Sequence, residues 1–195
     1  MRLGPSPNIG TGSVRRIAQL AGILKGARFA PIRGNLDTRL RKLDAGDHDA
    51  IVLAAAGLRR LGLAARITAT LPAAACVPSP GQGIVAIEIR ADDDAVRQMV
   101  SRIDDGDARA ALDAERALVE ALGGGCQTPI GALATPAAGG TLELVAAVAA
   151  LDGSRIIRAS AHGPRTDAAA IGARAGRDLL AQGADAILAE AQTRA

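Results

Sequence analysis

Apolar positions recur at Val14, Ile17, Ala18, Ala21 and Leu24, the spacing of one buried helical stripe, and Ser13 stands where a cap belongs. Before them, residues 1–7 carry two prolines and a glycine and read as a loop. The stretch from Phe29 to Arg33 reads as a short strand, and Asn35 caps a second helix with Leu36, Leu40 and Leu43, ended near Gly46. From Asp49 to Ala55 the apolar run has no alternation, as in a strand covered on both faces of a parallel sheet. Gly57 to Gly62 follows as a short helix. Leu71 to Pro80, with three prolines, reads as a linker. Gly81-Gln82-Gly83 then opens another apolar strand over 84–90, and Asp92 to Asp94 cap a helix running through Val100. A longer helix over 107–122 turns Ala111, Leu112, Leu118, Val119 and Leu122 inward. After it, 130–135, 142–151 and 154–160 read as an antiparallel meander, with Asp152-Gly153 as a hairpin turn. Two alanine-rich helices, 167–181 and 184–193, close the chain. The pattern is α/β in the first part and α+β in the second.

The long helix ends in Gly123-Gly124-Gly125-Cys126-Gln127-Thr128-Pro129-Ile130-Gly131. Glycines there let the chain turn sharply and let a bulky group approach the sulfur of Cys126. Two roles stay open on the local sequence: a reachable thiol, or a small hydrophobe packed at a helix end. The other cysteine, Cys76, lies beside prolines and reads as packing. No disulfide framework or metal-ligand spacing is present.

Composition narrows the possibilities. The 195 residues are 49% hydrophobic and 22% charged, enough to bury a core in one large or two small domains. There is one Phe and no Tyr or Trp, so Ala, Leu, Ile and Val must build that core. The net charge of +3 hides an asymmetry: residues 1–66 carry twelve basic and four acidic side chains, and the remainder is net acidic. A basic first third attracts anions. Nucleic acid is disfavoured as the anion, because aromatic stacking residues and known nucleic-acid modules are missing. No apolar run has membrane-spanning length and no signal peptide is visible, so a cytoplasmic protein without membrane partners is expected.

The arginines have a pattern. Arg15 and Arg16 lie in the first turn of a helix, where the helix dipole favours acids. They are either solvated surface charges or cations stabilised by a bound anion, for which Gly10 and Gly12 would leave backbone N–H groups convergent. Arg33 ends a strand and Arg39 begins the next helix, so both can face one strand-to-helix crevice, where open α/β sheets bind ligands. Arg41 and Lys42 point to solvent on this spacing. Arg59 and Arg60 repeat the arrangement at a third junction.

These stretches together resemble the hydroxymethylbilane synthase (porphobilinogen deaminase) family. The likeness rests on Thr11-Gly12-Ser13-Val14-Arg15-Arg16, Arg33-Gly34-Asn35-Leu36-Asp37-Thr38-Arg39 and the run from Asp49 to Gly62. It continues through Pro80-Gly81-Gln82-Gly83, Ala114-Glu115-Arg116-Ala117 and Gly124 to Gly131. The resemblance implies a transferase of porphyrin and heme biosynthesis that joins four porphobilinogen units into hydroxymethylbilane, releasing ammonia each time. It implies a covalent dipyrromethane cofactor on Cys126, held by Ser13, Arg15, Arg16 and Arg39, with Arg33 and Arg60 on the substrate. It also implies a fold: residues 1–80 as a truncated, periplasmic-binding-protein-like second domain with a mixed sheet; 81–103 as a strand and helix that complete the first domain; and 104–195 as a small α+β domain with a three-stranded antiparallel sheet carrying the cysteine.

Guanidinium groups suit a guest bearing an acetate and a propionate on every ring, since they are planar, always charged and can grip a carboxylate with two bonds. The likeness also implies a gap. Most of the family's first domain has no counterpart here, nor has its catalytic aspartate, so no catalytic residue is assigned. The expected partners are porphobilinogen and a separate domain-one chain; without the latter, a monomer. Little turnover by this chain alone is expected. The alternatives are a catalytically dead anion-binding module or one half of a split enzyme.

Overall fold

The computed structural model describes residues 3–123 and 128–193. The first part is a parallel sheet flanked by short helices. Strand β1 (Asn8–Gly10) pairs with β2 (Arg28–Ala30) on one side and β3 (Ala50–Ile51) on the other, both in parallel. The sheet expected to be mixed is parallel throughout among the described residues. Between the strands run α1 (Val14–Ala21) and α2 (Leu36–Asp44), and α3 (Ala55–Arg60) follows β3. Both expected caps form. The Ser13 hydroxyl accepts from the Arg16 N–H at 3.4 Å, and Asn35 Oδ1 accepts from the Thr38 N–H at 2.9 Å. Each satisfies a donor that the first helical turn would otherwise leave unpaired.

Two strands are shorter than the apolar runs suggested. The run over 49–55 pairs only at Ala50 and Ile51, because β1 is spent at Gly10, whose carbonyl takes the Val52 N–H at 3.0 Å. The strand expected over 29–33 ends at Ala30 and leaves Ile32 buried in a loop. The strand expected over 84–90 does not form: the backbone there is irregular, with Val85 and Ile87 exposed by 68% and 53%. A strand needs a neighbour to receive its N–H and C=O groups, and none lies beside this one among the described residues. Helix α4 (Asp94–Val100) does form, capped by Asp93, with Met99 exposed and Ile103 exposed just beyond.

The expected linker is a packed strap. Val77 is 1% exposed, and the Pro78 carbonyl accepts from Ala132 N–H at 2.9 Å, on the edge of the second sheet. That sheet has the order β4 (Ile130–Ala137), β5 (Thr141–Ala149), β6 (Ile156–Pro164), all antiparallel. The Asp152-Gly153 turn forms as expected; Gly153 has φ +71, and Asp152 Oδ1 accepts from the Ser154 N–H. Helices α5 (Gly106–Ala121), α6 (Ala168–Ala181) and α7 (Ala184–Thr193) cover one face. Their core is small and aliphatic: Ala114, Leu118, Leu142, Leu144, Ile171, Ala175 and Leu179 are at most 1% exposed. In the absence of aromatics, helices α5 and α6 fill space by close approach. A Cβ on Gly172 would lie 2.0 Å from the Ala114 carbonyl oxygen, and one on Gly176 would lie 2.6 Å from Ala121 Cβ.

Candidate functional site

At the carboxyl ends of β1 and β2 lies a cavity of about 390 Å³. It is lined by Thr11, Gly12, Ser13, Arg16, Pro31, Ile32, Arg33 and Arg39. Sheet geometry explains the convergence. The strand β1 leads into the N-terminus of α1, and the chain leaving β2 leads into α2, so two adjacent junctions face one crevice. Thr11 is 1% exposed and its hydroxyl accepts from the Ser13 N–H at 3.2 Å, setting the cap that starts α1. Gly34, at φ +111, occupies a backbone region closed to most side chains, and its carbonyl accepts from Arg39 Nε at 2.8 Å. That bond holds the guanidinium of Arg39 through Nε, and Arg39 lines the cavity. Arg33 is exposed at the rim, with no hydrogen-bond partner among the described residues.

Arg16 reaches the cavity with its guanidinium partly committed. Nη1 donates to the Val52 carbonyl at 2.8 Å and Nη2 to Gln82 Oε1 at 3.4 Å. Arg15 is placed differently. It is 5% exposed and lies under the strap, donating from Nη1 to the Val77 carbonyl and to Cys76 Sγ at 3.6 Å, and from Nη2 to Gln82 Oε1 at 3.4 Å. Arg60 lies at the 81–83 loop, its Nη2 donating to the Gly83 carbonyl at 2.8 Å. The site residues expected from sequence therefore divide. Ser13, Arg16, Arg33 and Arg39 meet at one cavity; Arg15 and Arg60 brace the chain behind and beside it. The two cations in the first turn of α1 have carbonyl oxygens of the protein itself as partners. Cys76, expected to be packing, is buried, and it is also a contact of Arg15.

Burial sets the electrostatics. It lowers the pKa of Arg15, with the Cys76 sulfur opposing the change. It also lowers that of Arg16, and the nearby positive charges of Arg15 and Arg39 act in the same direction. Like charges held together away from water favour an arriving anion. No acidic side chain lines the cavity among the described residues. A larger cavity of about 470 Å³ on the C-terminal part lacks this one-sidedness: Arg109, Arg116 and Arg165 share it with Asp113 and Glu120, and Arg109 and Arg165 are paired with Asp104 and Asp107.

Cys126, with Gly124, Gly125 and Gln127, lies outside the described residues. Where the chain is described again, it runs close to the arginines. A Cβ on Gly131 would lie 2.8 Å from the carbonyl oxygen of Val77, the same oxygen that accepts from Arg15. Several residues at this junction were not singled out by sequence. Gln19, 0% exposed, clasps the backbone of Val77, with Nε2 donating to its carbonyl at 3.1 Å and Oε1 accepting from its N–H at 2.7 Å. Gln82 and Glu115 lie within two of the stretches that carry the resemblance, Pro80 to Gly83 and Ala114 to Ala117. Gln19 lies off the apolar stripe read from the sequence: α1 buries Arg15, Ala18, Gln19 and Leu20, while Val14, Ile17 and Ala21 are half-buried, because the strap covers the face that carries Gln19. Among the described residues no group of His, Cys, Asp and Glu is arranged to hold a metal, and no helix is long and apolar enough to cross a membrane.

Comparison with known proteins finds relatives along nearly the whole chain. A family model described as "Porphobilinogen deaminase, dipyromethane cofactor binding domain" matches residues 2–98, and one described as "Porphobilinogen deaminase, C-terminal domain" matches 110–181. A porphobilinogen deaminase of Bordetella parapertussis is 54% identical over 191 residues, covering 96% of this chain and 60% of that protein. That of Desulforudis audaxviator is 48% identical, with the same coverage of each. That of Roseiflexus castenholzii is 46% identical, covering 93% of this chain and 59% of its own length. The chain thus spans about three-fifths of the length of these relatives. Two models of one family matched in succession, and relatives aligned across nearly all of its residues, show that the chain belongs to the porphobilinogen deaminase family.

Proposed function

We propose that the arginine cavity holds the carboxylates of a pyrrole-based guest, and that the chain takes part in assembling hydroxymethylbilane from porphobilinogen, as a cytoplasmic protein. The observation that carries this is a donor-rich lining at the start of α1 whose charged side chains are all cationic: the Ser13 hydroxyl, the backbone of Gly12 and the guanidinium groups of Arg16, Arg33 and Arg39. A cavity of this size suits a small ligand. Fork-shaped donors facing no competing acid are suited to several carboxylates held at once.

The same donor set fits a dipyrromethane, whose own carboxylates would lie against Ser13, Arg16 and Arg39, with Arg33 left for the incoming ring. In this reading the Cys126 sulfur forms the tether. Its thiolate would attack the methylene carbon left on the ring when the amino group of an aminomethyl side chain departs as ammonia; a C–S bond would replace the C–N bond, and the thiol proton would leave with the ammonia. When bound, that group supplies the pyrrole end on which the product is extended. Arg39, held by the Gly34 carbonyl, and Arg16, held by the Val52 carbonyl, keep their remaining donors aimed without reorganising, which is how fixed charges stabilise a bound anion well. Arg15 and Arg60 serve here as braces for the strap and for the 81–83 loop.

Acid–base chemistry is not assigned to any residue of this chain. A general acid–base group typically contributes about 10²–10⁴-fold in rate. We expect porphobilinogen supplied to the purified chain to yield little linear tetrapyrrole; turnover comparable to the full-length relatives would contradict that. A second reading is favoured by the exposed apolar side chains Met99 within α4 and Val85, Ile87 and Ile103 on either side of it. In it, residues 81–103 dock with the part of the family's structure that has no counterpart in this chain, whether in one longer polypeptide or as a separate one. Co-expression with that portion of the Bordetella relative should bury these residues and raise turnover; no complex and no gain would reject it.

A further inference from the structure

We propose that Glu115 on α5 is a positioning residue for the arginine cavity, acting through Gly81 and Gln82. This rests on the reading that the cavity binds carboxylates. Glu115 is 4% exposed, yet it is not part of the cavity. Its Oε2 accepts from the Gly81 N–H at 2.5 Å and its Oε1 from the Ala134 N–H at 2.8 Å, so one side chain ties the 81–83 loop to both α5 and β4. The neighbour of Gly81 is Gln82, whose Oε1 accepts from Nη2 of both Arg15 and Arg16. The next residue, Gly83, accepts from Arg60. Three consecutive residues thus join a buried carboxylate to three arginines.

Each link has a chemical reason. Two N–H groups from different segments require two acceptor oxygens on one side chain, which a carboxylate offers; a carboxamide would set an NH2 against one of them. The Gln82 contacts are long, 3.4 Å each, and weak individually. They hold only if the loop carrying Gln82 is itself fixed, and Gly81, at φ +71, lies in a turn whose inner N–H is anchored by Glu115. Release of that anchor frees Gln82, and with it the direction in which Nη2 of Arg16 faces the cavity.

The test uses the full chain as wild type, Glu115→Gln, Gln82→Ala and the double variant. Two quantities are read: the 15Nε–H resonances of Arg15 and Arg16 in the free protein, and porphobilinogen affinity. The relay predicts that each single substitution shifts both resonances and weakens porphobilinogen by roughly tenfold, the scale of one hydrogen bond to a charged group. It predicts that the double variant is no worse than either single one. Unmoved resonances, or effects that simply add, overturn it. Wild-type protein that does not bind porphobilinogen would sink the proposed function instead, with the resonances still deciding the relay. If Glu115→Gln does not fold, Gln82→Ala alone must move both arginine resonances or the proposal fails.

Discussion

Residues that carry the same charge do different jobs here, and substitution separates them. Arg15 is buried against the Val77 carbonyl, whereas Arg33 stands at the rim of the cavity. Arg15→Gln should therefore lower stability by about 1–3 kcal/mol, the cost of leaving a buried polar partner unmatched. Arg33→Gln should leave stability within about 0.5 kcal/mol, as surface changes do. It should still weaken porphobilinogen, and equilibrium denaturation together with ligand titration reads both. Equal stability losses would show that Arg15 has no structural role of its own. Glu115 gives a pH prediction. Burial raises its pKa, more than its two backbone donors lower it. A carboxyl whose folded pKa exceeds the unfolded one favours the fold most below its unfolded pKa, and that contribution is lost as pH rises through the folded value. Wild type should therefore lose stability relative to Glu115→Gln as pH rises from the ordinary carboxylate range through the raised one; a difference that does not vary with pH would contradict this.

Among the elements, those with local reasons to form were readable in advance. Ser13, Asn35 and the aspartates before α4 cap where their side chains suggest, and the Asp152-Gly153 hairpin turns where a glycine can take a positive φ. The meander over β4, β5 and β6 was also readable. What escaped depends on partners far along the chain. The run at 84–90 has the composition of a strand and no neighbour to pair with, and the proline-rich strap is ordered by Gln19 and Ala132, which no local signal joins to it. Likewise the cavity's arginines were readable from their places at strand-to-helix junctions, while the burial of Arg15 was not, because it depends on Val77 coming from 62 residues away. Packing of α5 on α6 makes the element-scale prediction. Gly172→Ala sets a Cβ 2.0 Å from a backbone oxygen, so the helices must separate. A loss of about 1–3 kcal/mol is expected from such overpacking, measurable by denaturation; an unchanged midpoint would mean that the helices are not in this contact.

For the whole molecule, charge and packing are divided between the two parts. The arginine cavity belongs to the basic first third, the aliphatic core to the acidic remainder, and the strap, Glu115 and the 81–83 loop join them. In the proposed function this junction serves a covalently held, many-carboxylate guest on Cys126. Intact-mass spectrometry tests it most directly, on wild type and Cys126→Ser after incubation with preformed hydroxymethylbilane. Added mass is expected on wild type, none on Cys126→Ser, and less on Arg16→Gln than on wild type. Wild type without added mass, or the same addition on both proteins, would contradict it.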